Sequence, residues 1–124
     1  MRLNHLDLPV PDIAETRAFF EKYLGFTHES TLGRDGLSIL RDEAGMVLVL
    51  SRRPPEGPQG FPGSFHIGFH LESEEAVTNL YARLAKDGKA TVPPSFQRGG
   101  FTFYCTAPGE IMVEIGYRLP LVRH

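Results

Sequence analysis

Hydrophobic and polar positions alternate in short runs along this chain, and two of those runs, LNHLDL and FHIGFHL, set histidines into the alternation. In an extended strand successive side chains point to opposite faces. Phe65, Ile67, Phe69 and Leu71 would therefore pack on one side while His66, Gly68 and His70 face the other. His5 likewise shares a face with Leu3 and Asp7, opposite Leu6 and Leu8. A helical pattern follows each run. Asp12 is a candidate N-cap with Glu15 three positions on; Ile13, Phe20 and Leu24 recur at helical spacing and Gly25 supplies a stop, predicting a helix near 13–24. Ser73, Glu74 and Glu75 open a second helix whose apolar face is Val77, Leu80, Tyr81 and Leu84, ending at Gly88. Three strand candidates follow each helix: 26–31, 37–41 and 46–51 after the first, 90–96, 100–106 and 110–117 after the second.

The two halves thus repeat one element order, and the spacing repeats with it. His5 lies seven residues before Asp12, and His66 lies seven before Ser73, so His66 rather than His70 is the counterpart of His5. Between the halves, RRPPEGPQGFPG at 52–63 holds four prolines and three glycines and reads as a linker. The expected fold is α+β: two βαβββ modules, 1–51 and 64–118, in a single domain over 1–124, forming a curved mixed sheet with the helices on its outer face. Superposing the closing strands, MVLVLS on IMVEIG, sets Val49 against Glu114. Glu114 shares a face with Met112 and Gly116, and a carboxylate so placed is costly to bury without a cation or a hydrogen-bond donor.

Composition narrows the class. In 124 residues, 13 Lys and Arg against 15 Asp and Glu give a net charge of −2, and no basic block invites nucleic acid or an anionic membrane. The single cysteine, Cys105, cannot form an internal disulfide, and no stretch has the length of a membrane span or the pattern of a signal peptide. A cytoplasmic globular protein is expected.

The candidate chemistry lies on one face of the expected sheet. His5, His66 and Glu114 would bring two imidazoles and a carboxylate from three strands, a set suited to Fe2+, Mn2+, Zn2+ or Ni2+ with positions left for water or substrate. Thr102 and Tyr104 alternate onto one face of their strand and Cys105 onto the other, where packing is its expected role. By intrinsic pKa His70 is the preferred base, with Tyr104 and Thr102 as groups that orient substrate or move a proton. His28 and His124 read as surface residues, Arg118 and Arg123 as anion-binding or, by default, solvated, and Glu72 to Glu75 as the first turn of a helix.

LNHLDLPVPDIAETRAFFEKYLGF, the histidine of FHIGF and the closing APGEIMVEI resemble the vicinal oxygen chelate superfamily of glyoxalases, bleomycin-resistance proteins, extradiol dioxygenases and fosfomycin-resistance enzymes. The resemblance covers nearly the whole chain and implies metal ligation by His5, His66 and Glu114, with Val49, Thr102 and Tyr104 facing substrate. Four-ligand members such as glyoxalase I would carry Glu or Gln at Val49, and valine cannot bind metal. LVLSRRP near 48–54, with Thr102 and Tyr104, is similar to the fosfomycin-modifying thiol transferases. Asp7, Val47 and QRGG at 97–100 depart from that group, so fosfomycin is not the expected substrate. The usual Asp-Pro-Asp-Gly turn is here APGE.

Three functions of different class follow. The first is a metal-dependent enzyme, dioxygenase-like or thiol-transferase/lyase-like, acting on a small molecule through vicinal oxygens. The second is a metal-free protein that sequesters a small molecule, as in bleomycin resistance. The third is a sensor or accessory domain. The resemblance also implies a homodimer, in which modules could be exchanged so that His5 of one chain meets His66 and Glu114 of the other.

Overall fold

The computed structural model describes residues 1–34 and 36–118. The element order repeats as expected: β1 (His5–Val10), α1 (Ile13–Tyr23), β2 (Thr27–Leu32), β3 (Leu37–Arg41) and β4 (Val47–Arg52), then β5 (His66–His70), α2 (Glu74–Lys86), β6 (Ser95–Gln97), β7 (Gly100–Ala107) and β8 (Ile111–Arg118). The chain divides into two compact units at Phe61 and Pro62. Among the described residues no helix is long and apolar enough to cross a membrane.

Each unit is a four-stranded mixed sheet with one helix, ordered β1-β4-β3-β2 in the first and β5-β8-β7-β6 in the second. The helix carries the chain away from the opening strand, the next strand forms the far edge, and a meander returns. The closing strand therefore lies parallel to the opening one, β1 with β4 and β5 with β8, while the other pairs are antiparallel. The registers match. His5 pairs with Val47 and Asp7 with Val49; His66 pairs with Met112 and Gly68 with Glu114. Val49 thus occupies in the first sheet the position Glu114 holds in the second.

Local chemistry starts and stops the helices as the sequence predicts. Asp12 Oδ1 accepts the Glu15 amide at 2.9 Å and Ser73 Oγ accepts the Ala76 amide at 3.0 Å. Each stop falls at a glycine in the left-handed region, Gly25 and Gly88, both at φ 72°. The buried face of α1 is Ile13, Thr16, Phe19, Phe20 and Tyr23, packed with Leu8, Val10, Leu40, Leu48 and Leu50 in the first unit's core. Val77, Leu80 and Leu84 of α2 are buried in the second unit along with Phe103, Ile111, Val113 and Ile115. Tyr81 meets Phe103 edge-on, with ring centroids 5.4 Å apart. Each fully buried apolar side chain contributes roughly 1.5–3 kcal/mol.

Two expectations need correction. The strand expected over 90–96 is only Ser95–Gln97, because Pro93 and Pro94 have no amide to donate to a ladder. His28, expected at the surface, is half-buried there: it pairs with the buried Leu40, and its Nε2 lies 2.7 Å from Thr31 Oγ1. Local hydrogen bonds run within the proline-rich linker. The Gln59 amide reaches the carbonyls of Pro54, Pro55 and Gly57, and Arg53 Nη1 donates to the Gln59 carbonyl at 2.6 Å. Arg123 and His124 lie outside the described residues.

Candidate functional site

Strand alternation decides what the open face of the second sheet carries. Ile111, Val113 and Ile115 of β8 are buried, so Met112, Glu114, Gly116 and Arg118 occupy the opposite face. On β5 both histidines are exposed on that face, with Gly68 between them beside Glu114 and His70 beside Gly116. From β7 come Thr102, paired with Gly116, and Tyr104, paired with Glu114. His66, His70, Thr102, Tyr104, Glu114 and Arg118, with Gln97 and Arg98, line a cavity of about 210 Å3 within the second unit.

The geometry leaves one donor atom unclaimed on each of two ligand-type side chains. Nδ1 of His66 lies 3.1 Å from the Ser64 carbonyl oxygen. A carbonyl only accepts, so Nδ1 carries the proton and Nε2 keeps its lone pair. The Tyr104 hydroxyl donates to Glu114 Oε1 at 2.6 Å. That bond, then burial and the Glu114 charge, push the Tyr104 phenol above its ordinary range, while Arg98 pulls the other way. The second oxygen, Oε2, lies over Gly68, where a Cβ would come within 3.3 Å of it. The absent side chain leaves that oxygen room for a ligand. The His66 and Tyr104 rings meet edge to face with centroids 6.4 Å apart.

The glycines shape the floor. Gly116 is buried, and a Cβ there would stand 2.8 Å from Thr102 Oγ1. Thr102, expected to face substrate, lines the cavity but is only 7% exposed, so it forms floor more than wall. Cys105 faces the core as expected, and burial pushes its thiol up to about 11, which removes it from nucleophilic duty at neutral pH.

The corresponding face of the first sheet is poorer in chemistry. His5 opens β1, exposed, and Asp7 Oδ1 accepts the Ser51 hydroxyl at 2.5 Å. Val49 is half-buried between Asp7 and Ile39, so the positions of Glu114 and Tyr104 are filled here by Val49 and Ile39. Of the residues singled out in the sequence, the second unit brings together His66, His70, Thr102, Tyr104 and Glu114, while His5 and Val49 belong to the first. Among the described residues no group of three His, Cys, Asp or Glu forms a metal cage. Sequence reasoning missed Gln97 and Arg98 as lining residues; Arg118, read as solvated by default or anion-binding, is exposed and also borders the cavity. The available signal was an arginine before glycine at 98–99, where a tight hairpin turn favours asparagine.

The sequence profile of the glyoxalase/bleomycin resistance protein/dioxygenase superfamily matches residues 2–115. A possible glyoxalase from Bacillus cereus is similar at 37% identity and TM-score 0.83, covering 94% of this chain and 98% of that one. A glyoxylase/bleomycin resistance protein/dioxygenase domain from Frankia sp. EAN1pec is 23% identical with TM-score 0.81, covering 96% and 98%. Lactoylglutathione lyase from Agrobacterium tumefaciens is 18% identical with TM-score 0.74, covering 94% and 92%; these last two speak for the fold alone. No curated protein matches the chain.

Proposed function

The chain belongs to the glyoxalase/bleomycin resistance protein/dioxygenase superfamily, and on that premise we propose that it is a metal-dependent enzyme acting on a small molecule that presents two vicinal oxygens. His66 through Nε2 and Glu114 through Oε2 would hold a divalent ion, with His5, from the same chain or a second copy, as third ligand. The ion would act as a Lewis acid on developing oxyanion charge, the chemistry shared by dioxygenase-like and thiol-transferase or lyase-like reactions. Tyr104 holds the Glu114 carboxylate in one orientation through its hydroxyl. His70, exposed on the same face, is the candidate to move a proton, and Thr102 and Val49 border substrate. A homodimer, with or without exchanged modules, and a cytoplasmic setting belong to the same reading.

One observation carries it. Two ligand-type side chains share a face, each with one atom fixed by a neighbour and the other left over, in the way protein metal ligands are oriented by the groups around them. Val49 at the position matching Glu114 argues against the four-ligand pattern of glyoxalase I.

A second reading, a metal-free protein that sequesters its ligand, draws on the same hydrogen bond: with Tyr104 donating, Glu114 needs no cation to be satisfied. Elemental analysis separates the two. Protein purified without chelator is expected to hold about one divalent ion per chain, lost in His66→Ala and reduced in Glu114→Gln. A metal-free preparation that cannot be reloaded sinks the enzyme reading and leaves sequestration.

A further inference from the structure

The cavity on the second sheet has ends of opposite character. Along the ladder between β7 and β8, Tyr104 faces Glu114 and Gly100 faces Arg118. The two pairs are four residues apart, about 13 Å at the rise of a strand. Arg98 and Arg118 both line the cavity. Neither guanidinium makes a hydrogen bond or ion pair among the described residues.

The backbone at Arg98 adds an independent observation. Gln97 pairs with Gly100, which leaves Arg98 and Gly99 as a two-residue hairpin loop. Their φ values are 48° and 79°, both left-handed, as a type I′ turn requires. Asparagine or glycine suits the first position, and a long branched cation does not. What bears on a ligand is that this turn, unlike the one holding Glu110, sets its side chain in the cavity lining. Between the two ends, Gly100 and Gly116 present no side chain, so a ligand can lie close along the floor.

We propose that the ligand of this cavity carries an anionic group, a carboxylate or a phosphate, seated between Arg98 and Arg118 while the rest of the molecule extends toward Glu114. Guanidinium forks match the oxygens of both anions. With no cation on Glu114, the opposite orientation would set an anion against its carboxylate. The inference rests on the reading of this cavity as a small-molecule site but not on the metal.

The test compares three probes that share one ring: benzoate, phenyl phosphate and the neutral benzamide, titrated by calorimetry or amide NMR. At least one anion should bind about ten-fold or more tightly than benzamide, and whichever of the two wins identifies the head group. Arg98→Asn and Arg118→Gln should each bring that preference to within about two-fold of benzamide. Asparagine suits the turn, so Arg98→Asn should melt no lower than the native protein, which separates a lost cation from a lost fold. Anions that bind no better than benzamide, or a preference that survives both substitutions, overturn the assignment. Metal content measured on the same samples keeps the two proposals apart: a metal-free protein that still prefers anions refutes the metal and keeps the anion seat.

Discussion

At the scale of single residues, the site depends as much on side chains that are missing as on those present. Gly116 is the clearest case, since a methyl there would collide with Thr102 Oγ1 at 2.8 Å and the neighbouring Phe101 carbonyl oxygen stands 3.4 Å away. Gly116→Ala should cost about 1–3 kcal/mol, as overpacking does. Thr102→Ala removes the offending oxygen, so the double variant should recover most of the loss in chemical denaturation; a double variant no better than the single would place the strain elsewhere. This also shows where the sequence could be read and where it could not. His66, His70, Thr102 and Tyr104 were visible because alternation assigns a face to every strand residue. Arg98 was not, because a turn has no period, and its side chain gains a direction only once the pairing of Gln97 with Gly100 is known. Arg118 stayed open between solvent and an anion for a related reason: it is exposed at the end of its strand and also borders the cavity, and both places have the same sequence signature.

At the scale of elements, starts and stops were legible wherever one residue carries the chemistry. Asp12 and Ser73 accept the amides that helix starts leave unpaired, and Gly25 and Gly88 tolerate the left-handed exit. β6 fell short because two prolines outweigh the apolar pattern around them. The turn between β7 and β8 shows the opposite situation, a local preference overridden. Ala107 pairs with Ile111, and the intervening Pro108, Gly109 and Glu110 place both Gly109 and Glu110 at positive φ, 84° and 59°. Glycine is the usual residue there in the resembled motif, whereas a glutamate in that region pays a steric cost of about 1–2 kcal/mol. Part of that would be offset by the greater freedom glycine has when unfolded. Glu110→Gly should therefore stabilise the protein by about 0.5–1 kcal/mol, a rise in Tm of about 2–4 °C by calorimetry. Glu110 is exposed, so this gain should leave ligand binding unchanged. An unchanged or lower Tm would mean that the glutamate makes a compensating contact.

At the scale of the whole molecule, the repeat was the most legible feature, because a seven-residue offset from histidine to helix cap recurs and the pairing of His5 with Val47 and His66 with Met112 follows from it. The two copies differ in what they carry: one sheet has the carboxylate, the tyrosine and a second histidine, while the other has His5, with Val49 and Ile39 at the remaining positions. The proposed metal site takes His66 and Glu114 from the second unit and His5 from a first unit. Two chains, each lacking a different ligand, reveal which chain gives His5. If modules are exchanged, a mixed dimer of His5→Ala and His66→Ala chains has one site with both histidines replaced and one with both intact. Random assortment makes half of the dimers mixed, so about a quarter of all sites should regain metal after the two variants are unfolded and refolded together. If each site is instead built within one chain, every site in the mixture lacks a histidine and none recovers. The second sheet's anion seat, complete within one unit, should bind its probe in both variants before and after mixing. Recovery of metal without any change in anion binding would thus separate the ion, assembled from two faces, from the cavity that one face forms by itself.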